Sequence, residues 1–143
     1  MILVKSGELK VKPTLVLMAA ENTVLYKSYA FAQRIVKLYK LLLKQKQPRT
    51  LAEQLLRSGT SIGANMEEAT GGFSRRDFAA KCSIAYKEAR ETHYWLRLLR
   101  DTECLDARLA DSLIEGAEEL KRMLAAILLS TRNDELKEET PVF

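Results

Sequence analysis

The chain has 143 residues, of which 47% are apolar and 29% are charged, and this suits one globular domain with its own core. Three Pro and six Gly argue against a loop-rich or all-β protein, and two Cys argue against a disulfide scaffold. No apolar run reaches the roughly 18 residues of a membrane span, and free thiols indicate a reducing compartment, which we expect to be the cytoplasm.

The net charge of +4 is unevenly distributed along the chain. Residues 1–100 hold 18 Lys and Arg against 8 Asp and Glu, a net charge of +10, whereas residues 101–143 hold 5 against 11, a net charge of −6. This asymmetry predicts a basic surface for an anionic partner, most often nucleic acid. The alternative is that basic and acidic helices of one bundle pair with each other.

Residues 1–21 differ from the rest of the chain, because short apolar runs alternate with lysines and Pro13. The order is wrong for a secretory signal, which leaves a strand or hairpin, a flexible arm, or a start site placed too early, with Met18 as the alternative start. We therefore predict an N-terminal extension over residues 1–21, a helical domain over residues 22–133 and a charged, frayed tail over residues 134–143.

The first predicted helix begins at Asn22 or Thr23 and ends at about Lys46. Its apolar face is predicted to comprise Leu25, Ala32, Ile35, Leu38, Tyr39 and Leu42. A neighbouring arc is cationic and comprises Lys27, Arg34, Lys37, Lys40 and Lys44. This arc is either an ordinary solvated face or a row that contacts phosphates.

The second predicted helix begins after Pro48 and extends from about Arg49 to Ala69. Its apolar side is predicted to comprise Leu51, Leu55, Ser58, Gly59, Ile62, Met66 and Ala69. Gly59 and Gly63 lie in its middle, where each costs about 0.5–1 kcal/mol relative to Ala. Close packing of a neighbouring helix explains this cost better than a phosphate-binding loop does, because the P-loop spacing and its lysine are missing.

The third predicted helix is the central one; it starts at Ser74, which suits the N-cap, and stops by Glu103. Its buried face is predicted to comprise Phe78, Cys82, Ala85, Ala89, Thr92, Leu96 and Leu99. Arg76, Lys87, Arg90 and Arg97 lie on the opposite side with Tyr94 among them. The fourth predicted helix begins at about Asp106, fades near Arg132 and separates an apolar side from a strongly acidic one.

One cluster on the central helix has two interpretations. Trp95 lies at the edge of the apolar face, near Glu88 and Glu91, so it is either a core residue or an anchor of a subunit contact. Partly buried carboxylates need a cationic partner, for which Arg57 and Arg90 are the candidates.

The residue pattern contains no recognisable catalytic or metal site. His93 is the only histidine, and with two separated cysteines it has no zinc-ligand spacing. The hydroxyls of Ser58, Thr60 and Ser61 have no histidine near them in the pattern. We therefore expect neither enzymatic activity nor a cofactor.

Four long segments resemble one known family. They are RIVKLYK (34–40), QLLRSGTSIGANMEEA (54–69), SRRDFAAKCSIAYKEARET (74–92) and YWLRLLRDT (94–102). They are similar to the bacterial "four helix bundle protein" family, whose members were found as products of intervening sequences in large-subunit rRNA genes. The resemblance covers about residues 24–133 and leaves the N-terminal extension outside.

The resemblance implies an all-α, antiparallel up-down-up-down four-helix bundle that forms a homopentameric ring. A more distant branch comprises accessory proteins of diversity-generating retroelements, which are basic pentamers that bind a reverse transcriptase and nucleic acid. We therefore predict an accessory factor that binds RNA or a nucleic-acid complex. A scaffold that binds a partner enzyme, with no direct nucleic-acid role, is the alternative.

These hypotheses assign two sets of residues. The predicted nucleic-acid residues are Lys37, Lys40, Lys44, Arg75, Arg76, Lys87, Arg90 and Arg97. The predicted oligomer-interface residues are Trp95, Glu88, Glu91 and Arg57. The competing hypothesis for Arg90 and Arg97 is that they pair with the acidic fourth helix or with a neighbouring subunit.

Overall fold

A computed structural model describes residues 4–5, 8–9 and 12–139 of the protein, and within them the fold is all-α apart from one minimal strand pair. The four helices are α1 (Pro13–Lys44), α2 (Arg49–Thr70), α3 (Arg75–Asp101) and α4 (Ala107–Glu139). Strands β1 (Val4–Lys5) and β2 (Glu8–Leu9) pair antiparallel, with Val4 opposite Leu9. The predictions for residues 1–3, 6–7, 10–11 and 140–143 lie outside the described residues.

The helices form a closed cycle of neighbours. Among the described residues α1 packs against α2 and α4, and α3 packs against the same two helices, so α1 and α3 lie diagonally across the bundle. The apolar faces of all four helices meet in one core. This arrangement confirms the predicted all-α fold with four helices.

The two outer helices are longer than predicted. Helix α1 begins at Pro13 instead of Asn22, because proline suits the first helical position and Leu17 and Ala20 are partly buried against the core. Helix α4 continues to Glu139 instead of ending near Asn133, and Thr131 in its last third is buried. Residues 13–21 and 134–139 therefore extend the bundle as helix.

Helix α3 agrees closely with its predicted pattern. The backbone N–H of Asp77 donates to the Ser74 side chain at 3.1 Å, so Ser74 is the N-cap. The buried residues of α3 are Phe78, Cys82, Ala85, Ala89, Thr92, Leu96 and Leu99, as predicted. Spacing alone therefore identified the core face of this helix.

The buried face of α1 is rotated from its predicted position. Val24, Ser28 and Phe31 are buried, whereas the predicted Leu25, Ala32 and Tyr39 are only partly buried. Glycines of the neighbouring helices lie against this face, with Gly63 next to Ser28, Gly116 next to Phe31 and Gly59 next to Ile35. A Cβ on Gly59 would lie 2.8 Å from Ile35 Cγ1, which confirms the close approach predicted at this glycine. On Gly116 of α4 a Cβ would lie 3.2 Å from the Phe31 ring.

Candidate nucleic-acid and subunit interfaces

Helix α3 carries a row of outward-facing cations. Lys87, Arg90 and Arg97 are exposed, and their spacing of three and seven residues keeps them on one face over about 15 Å. Within the described part of the chain none of the three forms an ion pair. We call Lys87, Arg90, Tyr94 and Arg97 the α3 basic row. Tyr94 is already engaged, because its ring lies edge-on to Trp95 at 5.0 Å and 6.0 Å from the Arg97 guanidinium.

Helix α1 carries a second row, formed by Lys37, Lys40 and Lys44. All three side chains are exposed and, among the described residues, none has a carboxylate partner. Residues 22–44 contain five basic residues and no acidic one. The row therefore presents uncompensated positive charge over about 10 Å of helix.

The two rows lie on helices that are not adjacent, so the predicted nucleic-acid residues are divided between two parts of the bundle. Helices α1 and α3 are diagonal neighbours in the bundle, and α2 and α4 lie between them. The predicted nucleic-acid residues belong to two amphipathic helices that do not pack side by side.

The start of α3 is less cationic than predicted. Arg75 Nη2 lies 3.3 Å from Asp134 Oδ2, near the end of α4. This pair could not be predicted from the residue pattern, because α4 was predicted to end before Asp134. Arg76 is exposed and, within the described residues, makes no ion pair.

Acidic residues of α4 do pair with basic residues, and apart from Arg75 these partners are not the residues predicted to bind nucleic acid. Glu119 pairs with Lys27, and Arg100 Nη1 lies 2.9 Å from Asp111 Oδ1. Arg34 donates to Ser112 Oγ at 2.7 Å. The pairing alternative therefore holds for Lys27 and Arg100 and fails for Arg90 and Arg97 within the described residues of one protomer.

The four predicted interface residues lie together at the rim between α2 and α3. Arg57 pairs with Glu91 and lies 3.3 Å from Glu88 Oε2. Trp95 Nε1 donates to Glu91 Oε1 at 3.1 Å. Trp95 itself is only partly buried, so its indole forms the edge of the core and also reaches the surface.

The electrostatics of this cluster favour its charged form. The hydrogen bond from Arg57 holds the pKa of Glu91 below its ordinary value, and the bond from Trp95 adds to this effect. The hydrogen bond to Glu91 likewise raises the pKa of Arg57. The cluster is therefore a pre-organised patch of one aromatic ring and three charges.

Other reactive side chains lie apart from these surfaces. Burial raises the pKa of Cys82 to about 12, so its thiol stays protonated. His93 Nε2 lies 2.9 Å from Glu118 Oε1 in the α3–α4 seam. Over the described residues, no three His, Cys, Asp or Glu side chains gather as metal ligands, and no helix is long and apolar enough to span a membrane.

Sequence reasoning missed two exposed tyrosines on α1. Tyr26 and Tyr29 are 77% and 64% exposed. Both continue the line of Gln33, Lys37 and Lys40 at helical spacing, which was the available signal. This spacing was overlooked because a tyrosine within an apolar pattern is usually a core residue.

The fold and its surfaces define the class of protein. It is a four-helix protein with two separate basic rows and a cluster around Trp95 at the rim between α2 and α3. The family model described as 23S rRNA-intervening sequence protein matches residues 20–126. The chain therefore belongs to the 23S rRNA-intervening sequence protein family, as its resemblance indicated. The family thus accounts for most of the helical domain.

A solved structure supports the same assignment. The crystal structure of a protein of unknown function from the S23 ribosomal protein family of Bacteroides thetaiotaomicron is 46% identical and superposes with a TM-score of 0.74. The similarity covers 76% of this chain and 97% of that one. Among curated proteins, none matches the chain.

Proposed function

We propose that the protein is a non-enzymatic, cytoplasmic accessory factor that binds RNA, or a complex of nucleic acid and protein, through phosphate contacts. The supporting observation is that Lys87, Arg90 and Arg97 remain exposed and unpaired among the described residues, although the acidic helix α4 lies next to α3. Such cations release counterions from a polyanion when they bind. Contacts of this kind give affinity with little base specificity.

The proposed working form is a homopentamer of antiparallel up-down-up-down protomers. The order of contacts supports the direction of the helices, since Ile35 lies against Gly59 and the earlier Ser28 lies against the later Gly63. A ring would repeat each basic row five-fold, and multivalency strengthens weak contacts. Trp95 and its charged neighbours are the proposed subunit contact.

Two charge variants test the nucleic-acid role. Lys87→Gln/Arg90→Gln/Arg97→Gln removes three unpaired cations, whereas the control Lys27→Gln/Arg49→Gln/Lys81→Gln removes three cations that have carboxylate partners. Binding to a labelled RNA is measured by anisotropy across a salt series. We expect the first variant to lower the salt slope by about 2, from about 0.7 per lost phosphate contact on a single strand. The control should change it less.

Either of two results would contradict the proposal: no binding to RNA at low salt, or binding that is indifferent to salt. The oligomer is tested separately by light scattering. Trp95→Ala should shift a pentamer towards smaller species, and a wild-type protein that is a monomer at all concentrations would remove the ring from the proposal.

A scaffold that docks a partner enzyme, such as a reverse transcriptase, is the second candidate. It is favoured by the grouping of Trp95, Tyr94, Arg97 and Arg57, because Trp, Tyr and Arg are the residue types enriched in binding hot spots. Co-purification with the purified enzyme before and after nuclease treatment separates the two functions. A complex that survives nuclease and is lost with Trp95→Ala supports the scaffold.

A further inference from the structure

We infer that α1 holds a site for single-stranded nucleic acid, in which exposed tyrosines stack on unpaired bases while lysines contact the phosphates. This inference rests on the proposed function and goes beyond it by adding a second site, on α1, and by naming the substrate class of that site. The site is the tyrosine–lysine stripe, which comprises Tyr26, Tyr29, Gln33, Lys37 and Lys40.

The geometry of the stripe begins with its spacing. Successive members are three or four residues apart, so they share one outward face of α1 over about 20 Å. The side chains of all five are exposed. Among the described residues neither Tyr26 nor Tyr29 makes a hydrogen bond or a ring–ring contact, and both rings are largely exposed to solvent.

The surface along the stripe also has a shallow hollow with both apolar and basic lining residues. This hollow, of about 390 Å³, is lined by Tyr29, Ala32, Gln33, Val36, Lys37 and Lys40. Ala32 and Val36 are partly buried and provide apolar contacts, whereas the two lysines bring positive charge to the same hollow. An aromatic ring beside cations is the combination by which proteins hold single strands.

The other basic row is less suited to stacking. Tyr94 is already occupied by Trp95 and Arg97, and the carboxylates of Glu88 and Glu91 lie nearby on the same helix. By contrast, residues 22–44 of α1 carry no acidic side chain. Charge complementarity therefore favours an anionic occupant on α1, and the free rings favour one whose bases are unstacked.

Binding of matched oligonucleotides tests the inference. An unstructured labelled RNA and a hairpin of equal length are titrated against wild type and Tyr26→Leu/Tyr29→Leu. Because stacking is worth about 1–3 kcal/mol per base, we expect roughly tenfold or greater loss of affinity for the single strand. Affinity for the hairpin should stay within about twofold, since phosphate contacts do not need the rings.

Three further measurements locate the effect. Phe73→Leu is the matched control, because this exposed aromatic residue lies between α2 and α3 and outside both basic rows, and it should leave single-strand affinity nearly unchanged. Lys37→Gln/Lys40→Gln should weaken both oligonucleotides, because it removes charge. A 5-bromouridine oligonucleotide should crosslink to Tyr26 or Tyr29. Thermal unfolding checks that each variant is folded.

The outcomes separate this inference from the proposed function. If the tyrosine variant binds the single strand as wild type does while the α3 charge variant weakens binding, the stacking site is wrong and the proposed function stands. If changes on the stripe alter the oligomer and leave RNA affinity unchanged, the stripe is a subunit contact and the inference fails. If RNA does not bind at any salt concentration, both fail together.

Discussion

Two seams of the same helix α2 are built in different ways. Towards α1, Gly59 and Gly63 let the helices approach closely, with Ile35 filling the space over Gly59. Towards α3, Thr92 Oγ1 lies 3.0 Å from Ser58 Oγ inside the core, and the Arg57 cluster covers the rim. The first seam depends on steric fit and the second on polar partners. Their responses to mutation and to pH should therefore differ.

The largest expected effect comes from overfilling the glycine seam. In Gly59→Val the new Cβ would lie 2.8 Å from two atoms of the fully buried Ile35, which has little space to move. We expect a loss of about 2–3 kcal/mol in the free energy of unfolding, measured by denaturant titration.

A control for that variant is the neighbouring glycine one helical turn away, and Gly59→Ala is measured beside it so that the same side chain is compared at both positions. A Cβ on Gly63 would meet Ser28 at 3.4 Å, an ordinary contact. Gly63→Ala should therefore keep or raise stability, by up to about 1 kcal/mol from helix propensity. Equal losses at Gly59 and Gly63 would mean that steric fit does not distinguish the two positions.

The polar seam gives the second effect. Thr92→Val keeps the shape of the side chain but removes its bonds to Ser58 Oγ at 3.0 Å and to the Glu88 carbonyl at 2.8 Å. Ser58 then retains only a long bond to the Leu55 carbonyl. We expect a loss of about 1–2 kcal/mol. Because the two hydroxyls share one bond, the double variant Ser58→Ala/Thr92→Val should cost less than the sum of the single variants.

These seams also show what sequence could predict. The core face of α3 was predicted completely because its apolar residues recur at helical spacing and no glycine disturbs them. The face of α1 was predicted with a rotation, because the space over Gly59 and Gly116 depends on residues far away in the chain. Local pattern contains no such information.

The candidate sites show the same limit. Exposure of the lysines could be predicted from the pattern, whereas their division into two rows required the order of the helices around the bundle. Arg57 could be proposed as a partner of Glu91 by charge alone, but the pair of Arg75 with Asp134 needed the true length of α4. Pairing across helices depends on the register between them, which no single helix specifies.

The third prediction tests the charged rim of the polar seam. The pKa of Glu91 is lowered in the folded protein, so its contribution to stability is present above its ordinary value of 4.5 and is lost as pH falls through the lower folded value. Glu91→Gln should cost about 0.5–1 kcal/mol at neutral pH and should reduce the loss of stability in acid.

The control is Glu53→Gln, which removes a carboxylate from an exposed pair with Arg49. It should leave stability and its pH dependence nearly as in wild type. If Glu53→Gln and Glu91→Gln changed the acid limb of the stability curve equally, the rim cluster would have no special role.

The smallest expected effect lies in the third seam, between α3 and α4. Burial lowers the pKa of His93 despite the attraction of Glu118 at 2.9 Å, and the positive charges of Lys121, Arg97 and Arg100 act in the same direction as burial. The unfolded chain therefore takes up the proton first, and stability should fall as pH drops through the ordinary value of 6.5 towards the folded value.

Unfolding titrations between about pH 5 and pH 8 measure this slope, which we expect to amount to less than about 1 kcal/mol and to disappear in His93→Gln. The sign of the slope decides between two opposing forces at this seam. If stability instead rises as pH falls below 6.5, the ion pair with Glu118 outweighs burial, and the α3–α4 seam is held together by charge, like the rim around Arg57.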